Sequence, residues 1–161
     1  MVAEIANDPD KGITNTYYYK DADPADPKFY MGPVWDYDNR FGGTTNHSSA
    51  EILTGLASGG WIRDLYERPE FREAVRREWN SFFRDYLTKD APENIGRWHE
   101  QIRKSVMMDN VRWFRGTGYP RTWPRGDGNF TDDYDFDEAA EYLKGWIRTR
   151  CEFLDGCWSG N

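Results

Sequence analysis

Between Phe71 and Tyr86 the large apolar side chains Phe71, Val75, Trp79, Phe82, Phe83 and Tyr86 return at intervals of one, three and four residues. That spacing lines them along one face of an α-helix of roughly four turns, and a face this apolar must be covered by another element. The chain is therefore committed to a helical layer with a core on one side. Pro69 suits the first turn of this helix, where its missing N–H costs nothing. Trp61, Leu65 and Tyr66 suggest a short helix before it. A third helix is expected after Pro92, with Ile95, Trp98, Ile102 and Val106 as its buried line, and Met107, Met108, Val111, Trp113 and Phe114 extending the core. Asp135 and Glu138 have the spacing of a capping box. They open a last helix that buries Ala139, Leu143, Trp146, Ile147 and Leu154 and that Gly156 is placed to end.

The first third of the chain has the other periodicity. Thr14 to Lys20 is β-branched and aromatic, Asp21 to Pro27 is polar with two prolines, and Lys28 to Val34 returns as a second extended run. Two such runs around a polar loop predict a β-hairpin. Residues 2–7 form a short apolar piece, a helix end stopped by Asp8-Pro9-Asp10, since proline disfavours helix in the residue before it. The sum is an α+β domain: a small antiparallel hairpin packed on four or five helices, in one unit over residues 1–161.

Bulk properties exclude some functions. A formal charge of -7 argues against a nucleic-acid backbone as partner, and no apolar run reaches the length of a membrane span. The 8 Trp, 10 Tyr and 9 Phe are read as core that compensates for few aliphatics, rather than as a sugar-binding platform. Cys151 and Cys157 are too few for a disulfide framework or a zinc site; they could pair if the chain turned at Gly156, or stay free. No secretory signal opens the chain. His47 and His99 are expected in solvent.

Chemistry concentrates where the hairpin ends. In Gly32-Pro33-Val34-Trp35-Asp36-Tyr37-Asp38-Asn39-Arg40-Phe41-Gly42, continued strand alternation would place Asp36 and Asp38 on one face and Trp35 and Tyr37 on the other. Pro33 suits a strand end or bulge. Aspartates here could form a turn, or aim a carboxylate at a metal ion. The hairpin would bring Asn15, at the start of its first strand, near Asp36. Asp10 and Asn15 also stand at the D-x-x-x-x-N interval of the protein-kinase catalytic loop, in which the Asp takes the substrate hydroxyl proton and the Asn holds magnesium. Arg121 and Arg125, in a Gly- and Pro-rich loop, could hold an acidic or phosphorylated substrate, or pair with the run Asp132 to Asp135.

The Gly-Pro-Val-Trp-Asp-Tyr-Asp-x-x-Phe-Gly string resembles the signature of the CotH kinase family, the spore-coat-protein-H type of atypical kinase. Glu4 to Asp10 resembles its E-x-x-x-N-x-D element, Asn15 to Lys20 its aromatic strand, and Leu143, Trp146, Arg150 and Leu154-Asp155 its closing helix. The resemblance implies the helical lobe of an atypical protein-kinase-like fold, in the C-terminal portion of such a domain. The nucleotide lobe that carries the family's lysine would precede Met1.

It further implies Mg²⁺ or Mn²⁺ and ATP, with phosphoryl transfer to Ser or Thr of coat or surface proteins, and a spore-coat, cell-surface or extracellular place. On that reading Asp10 is the catalytic base. Asp36, Asn15 and Asp38 hold the metal, and Asp8 and Asp36 lie at the nucleotide. Asp8 stands where the family has Asn, and an added negative charge there would make ionising both carboxylates costlier, or give Asp8 a metal role of its own. The rival reading is a non-catalytic, acidic, aromatic-rich surface or coat module that binds a structural cation or none.

Overall fold

A computed structural model describes residues 1–8, 15–37, 40–42, 49–53, 60–113 and 135–160. In chain order they form α1 (Val2–Ile5), β1 (Thr16–Tyr19), β2 (Tyr30–Val34), α2 (Trp61–Tyr66), α3 (Pro69–Glu78), two π-helical segments (Trp79–Phe83 and Tyr86–Asp90), α4 (Ala91–Trp113) and α5 (Phe136–Trp158). The fold is α+β, a two-stranded antiparallel hairpin beside a helical lobe.

The hairpin pairs Thr16 with Val34, Tyr18 with Met31 and Tyr19 with Tyr30. The register slips between Thr16 and Tyr18, opposite Gly32-Pro33, so the proline sits at a bulge where a ladder N–H is not needed. Ring pairs stitch the strands across: Tyr19 stacks on Tyr30 with centroids 5.0 Å apart, and Tyr18 on Phe29 at 5.2 Å.

The core lies between the helices. Trp79, Leu87 and Ala91 meet Trp146, Ile147, Cys151, Leu154 and Trp158 of α5, with Ile5 of α1 and Ala50 joining them. Trp79 is wholly buried, edge-on to Trp158 at 5.5 Å, and its indole N–H donates to Asp155 Oδ1 at 2.9 Å. Full burial of one such ring is worth roughly 2 to 3 kcal/mol, and the hydrogen bond removes the cost of an unsatisfied N–H.

Several expectations are corrected. Pro92 does not start a separate helix; the chain is helical without interruption from Pro69 to Trp113. A proline inside a helix clashes with the carbonyl four residues back, here Thr88, and that carbonyl lies within the wider π-helical segment Tyr86–Asp90, where the ladder is already displaced. The same widening shifts the side-chain phase, so Phe82 of the expected stripe is exposed and stacks on Tyr86 at 5.5 Å.

Second, the line after Ile95 is not buried. Trp98, Ile102, Met107, Met108, Val111 and Trp113 are all exposed, from 49 % at Trp98 to 68 % at Met108. α5 begins at Phe136 beside Ile102 and Arg103, so the last turns of α4 overhang it among the described residues, while Trp98 and Ile102 line an open recess against Phe136, Ala139 and Leu143. Third, Gly156 does not end α5, which runs to Trp158; both cysteines lie on this one helix and are free thiols, Cys151 buried and Cys157 exposed. His99, expected in solvent, is half-buried, stacked on Phe136 at 4.1 Å and 2.9 Å from Asp137. His47 and Phe114 lie outside the described residues. The capping box is present as expected: the Glu138 N–H donates to Asp135 Oδ1 at 2.8 Å, and the Asp135 N–H to Glu138 Oε2 at 3.0 Å.

Candidate functional site

The site is assembled by two buried arginines. Arg150 projects from α5 at the position between Trp146 and Leu154, which otherwise carries the core stripe, and it is almost fully enclosed. Its guanidinium donates to the backbone carbonyls of Glu4, Ile5, Ala50 and Ile52 and lies 3.5 Å from the Glu4 carboxylate. The Glu4 and Ile5 carbonyls belong to the end of α1, where a helix runs out of internal donors. One side chain thus binds four main-chain carbonyls and fixes α1 and the 50–52 segment to the closing helix. Burial pushes the Arg150 guanidinium below its ordinary range, with the Glu4 carboxylate opposing that. A group that starts so basic stays charged.

From α1 the chain turns sharply. Asn7 has a φ of 56°, a left-handed conformation that Asn tolerates better than most residues, and its Nδ2 donates to Ser49 O at 3.0 Å. Asp8 follows, wholly buried, with Oδ1 2.6 Å from Arg40 Nε; both side chains are closed to solvent. The extra negative charge expected from Asp8 is therefore neutralised inside the protein by Arg40, which sequence reasoning left without a role. Asp8 sits in this ion pair rather than on an open face. The Phe41 N–H donates to Ala6 O at 3.0 Å, so the segment after the hairpin is laced to the end of α1 by backbone as well as by charge.

Gly42 completes the attachment. Its carbonyl accepts from the Tyr142 hydroxyl at 3.0 Å, and Phe41 packs edge-on to Trp146 at 5.9 Å. A Cβ at residue 42 would lie 2.4 Å from Trp146 Cδ1, and its φ is 81°, so both space and backbone demand glycine.

β2 ends at Val34, before the aspartates. Asp36 has a φ of 62°, so the expected strand alternation does not reach it. Trp35 is exposed and edge-on to Tyr17 at 6.2 Å, while Tyr37 turns partly inward. Burial pushes the Tyr37 hydroxyl up, with the Asp8 charge adding to it and Arg40 opposing. The reversal leaves the Asp36 side chain in solvent. A non-glycine residue held in this region is strained, and such positions gather at functional sites.

Of the candidate residues, the structure brings Asn15 and Asp36 together. Asn15 is buried, and its Nδ2 donates to the Asp36 carbonyl at 3.3 Å. That bond orients the amide and holds Asp36 across the mouth of the hairpin. The Asp36 carboxylate and the Asn15 amide oxygen are the oxygen donors that magnesium takes, so the residues present fit such an ion in type. Among the described residues no three His, Cys, Asp or Glu side chains gather as a metal centre. Asp10, Asp38, Arg121 and Arg125 lie outside the described residues. Arg40 was given no role, and Arg150 was read only as part of the closing-helix resemblance; the signal for its role was a charge on an otherwise apolar stripe.

No helix among the described residues is long and apolar enough to cross a membrane. Compared with curated proteins and with solved structures, the chain finds no match in either. The family model described as CotH kinase protein matches residues 1–154, nearly the whole length, and covers α1, the hairpin, the Asp36 turn and most of α5. The chain belongs to the CotH kinase family.

Proposed function

We propose that within this kinase family the chain carries the metal-binding and catalytic part of an ATP-dependent phosphotransferase acting on Ser or Thr hydroxyls of coat or surface proteins. The observation that supports it most is the contact between Asn15 and Asp36, twenty-one positions apart, at the open end of the hairpin. Phosphoryl transfer depends on positioning and charge neutralisation more than on covalent chemistry, so two residues with oxygen donors held together at one end of the hairpin suit it.

Asp36 and Asn15 would hold Mg²⁺ or Mn²⁺, with Asp38 as a further oxygen donor. Bound there, such an ion would supply neutralisation of phosphate charge. The chain's own part is orientation: Arg150 fixes α1, the Asp8–Arg40 pair fixes the turn, and Asn15 holds the Asp36 backbone. Asp10, five positions before Asn15, is the base that takes the hydroxyl proton. Arg121 and Arg125 contribute guanidinium groups for an acidic or phosphorylated substrate. Asp8, neutralised by Arg40, shapes the nucleotide side from beneath.

The test is intact-mass analysis of a serine-rich protein such as casein after incubation with the protein and Mg-ATP, repeated with Mn²⁺, beside Asp36→Ala. Phosphate added by wild type, and reduced at least about a hundredfold in Asp36→Ala at an unchanged melting temperature, is the expected result. Transfer retained by Asp36→Ala would sink the assignment. No transfer by wild type with either ion would leave the family assignment standing and show that these residues alone do not make a competent catalytic unit.

A further inference from the structure

Away from the hairpin, where α3 meets the end of α5, lies a recess of about 250 Å³ lined by Tyr66, Arg72, Glu73, Arg76, Cys157 and Gly160. The protein as a whole is acidic, yet two arginines one turn apart on α3 line this recess. Both are held. Arg72 Nη1 donates to the carbonyls of Tyr66 and Glu67 at 3.1 and 2.9 Å, capping the end of α2. That leaves its Nε and Nη2 without an acceptor among the described residues. Arg76 is gripped from the other side: a Cβ at Gly160 would lie 2.6 Å from its Cδ, so the tail backbone lies directly on the arginine stem. Its Nη2 is occupied by Glu73 Oε2 at 2.6 Å.

We propose that this recess is a binding site for a phosphate dianion, free or as a monoester, bridging Arg72 and Arg76 and displacing the Glu73 carboxylate. Residues i and i+4 on a helix stand about 5 to 6 Å apart at Cβ, a span one tetrahedral anion can bridge. Arginine forks match phosphate oxygens, and forks already fixed by carbonyls and packing lose little freedom on binding. The resident carboxylate decides the ligand class. A monocarboxylate would exchange evenly with Glu73 and still lose its own freedom of motion. A phosphate monoester offers a second charge and three acceptor oxygens, enough to satisfy Arg76 and the open donors of Arg72 together.

The same dianion could arrive as free phosphate or on a phosphorylated protein, and Cys157 is a built-in reporter for both. Its exposed thiol lines the recess, whereas Cys151 is buried and silent. The experiment follows iodoacetamide labelling of Cys157 by intact mass, with inorganic phosphate, a phosphoserine peptide, its unphosphorylated form, or chloride at matched ionic strength. Phosphate and the phosphopeptide are expected to slow labelling, and the unphosphorylated peptide and chloride are not. Protection at lower concentration by the phosphopeptide would identify a protein-borne ligand; protection at equal concentration would identify the small ion.

Arg76→Gln should raise the concentration needed about tenfold, and Glu73→Gln should lower it. The second change matters because tighter binding cannot come from misfolding. Labelling indifferent to both phosphate and phosphopeptide would overturn the site, as would protection unaltered in both Arg76→Gln and Glu73→Gln.

Discussion

Arg40 and Asp8 show how much can rest on a single pair of side chains. Their charges, 2.6 Å apart and closed to water, are costly to bury and costlier to separate. Arg40→Ala should therefore destabilise the protein by about 3 to 5 kcal/mol in urea unfolding, while the apolar pair Asp8→Leu with Arg40→Met should recover most of that. The sequence placed both residues within candidate motifs but could not pair them, because nothing local links positions thirty-two apart. Cys151 offers a test by pH. Burial, with Asp155 and Glu152 adding to it, pushes its thiol from 9.0 to about 11. The folded state thus keeps the proton where the unfolded chain releases it, so this stability is whole below pH 9 and is lost as pH rises towards 11. The loss is at most ~3 kcal/mol. Urea melts of wild type and Cys151→Ala at pH 7, 9 and 10.5 should converge as pH rises; a constant gap would refute the assignment.

Elements were legible where a local rule decides them. The capping box at Asp135 and Glu138 follows from hydroxyl-free chemistry alone, a carboxylate reaching an N–H three residues on. Asp135→Ala should cost about 1 kcal/mol by thermal melting, with Asp135→Ser nearly neutral. The hairpin was equally readable from its β-branched and aromatic runs around a polar loop, with strands of four and five residues inside two expected runs of seven. Two features escaped. Pro92 reads as a break only if the preceding turn is α-helical, and the π-helical segment before it removes that premise. The apolar line Trp98, Ile102 and Val106 carries helical spacing, yet periodicity states which face is apolar and not how far the neighbour extends. The Asp36 turn escaped similarly: a left-handed residue reverses the chain without any change in composition.

At the scale of the molecule, the α+β class and the closeness of Asn15 to Asp36 were foreseeable, since a hairpin of known loop length must bring its ends together. What holds α1 and the 50–52 segment against the closing helix was not. Arg150 joins segments almost one hundred and fifty positions apart through main-chain acceptors. Arg150→Met should leave the Trp79 and Trp158 core protected in hydrogen exchange while residues 1–8 and 49–53 exchange faster, at a loss of about 3 kcal/mol or more from unsatisfied carbonyls. Uniform loss across all helices would show that Arg150 supports the whole core instead. Because this latch grips carbonyls, which every residue owns, the burden of inheritance is lopsided. Position 150 must stay arginine while the grasped positions answer to it only through the path of the backbone. Correlated substitution, the usual trace of two positions in contact, would leave little record of the contact on which this end of the protein hangs.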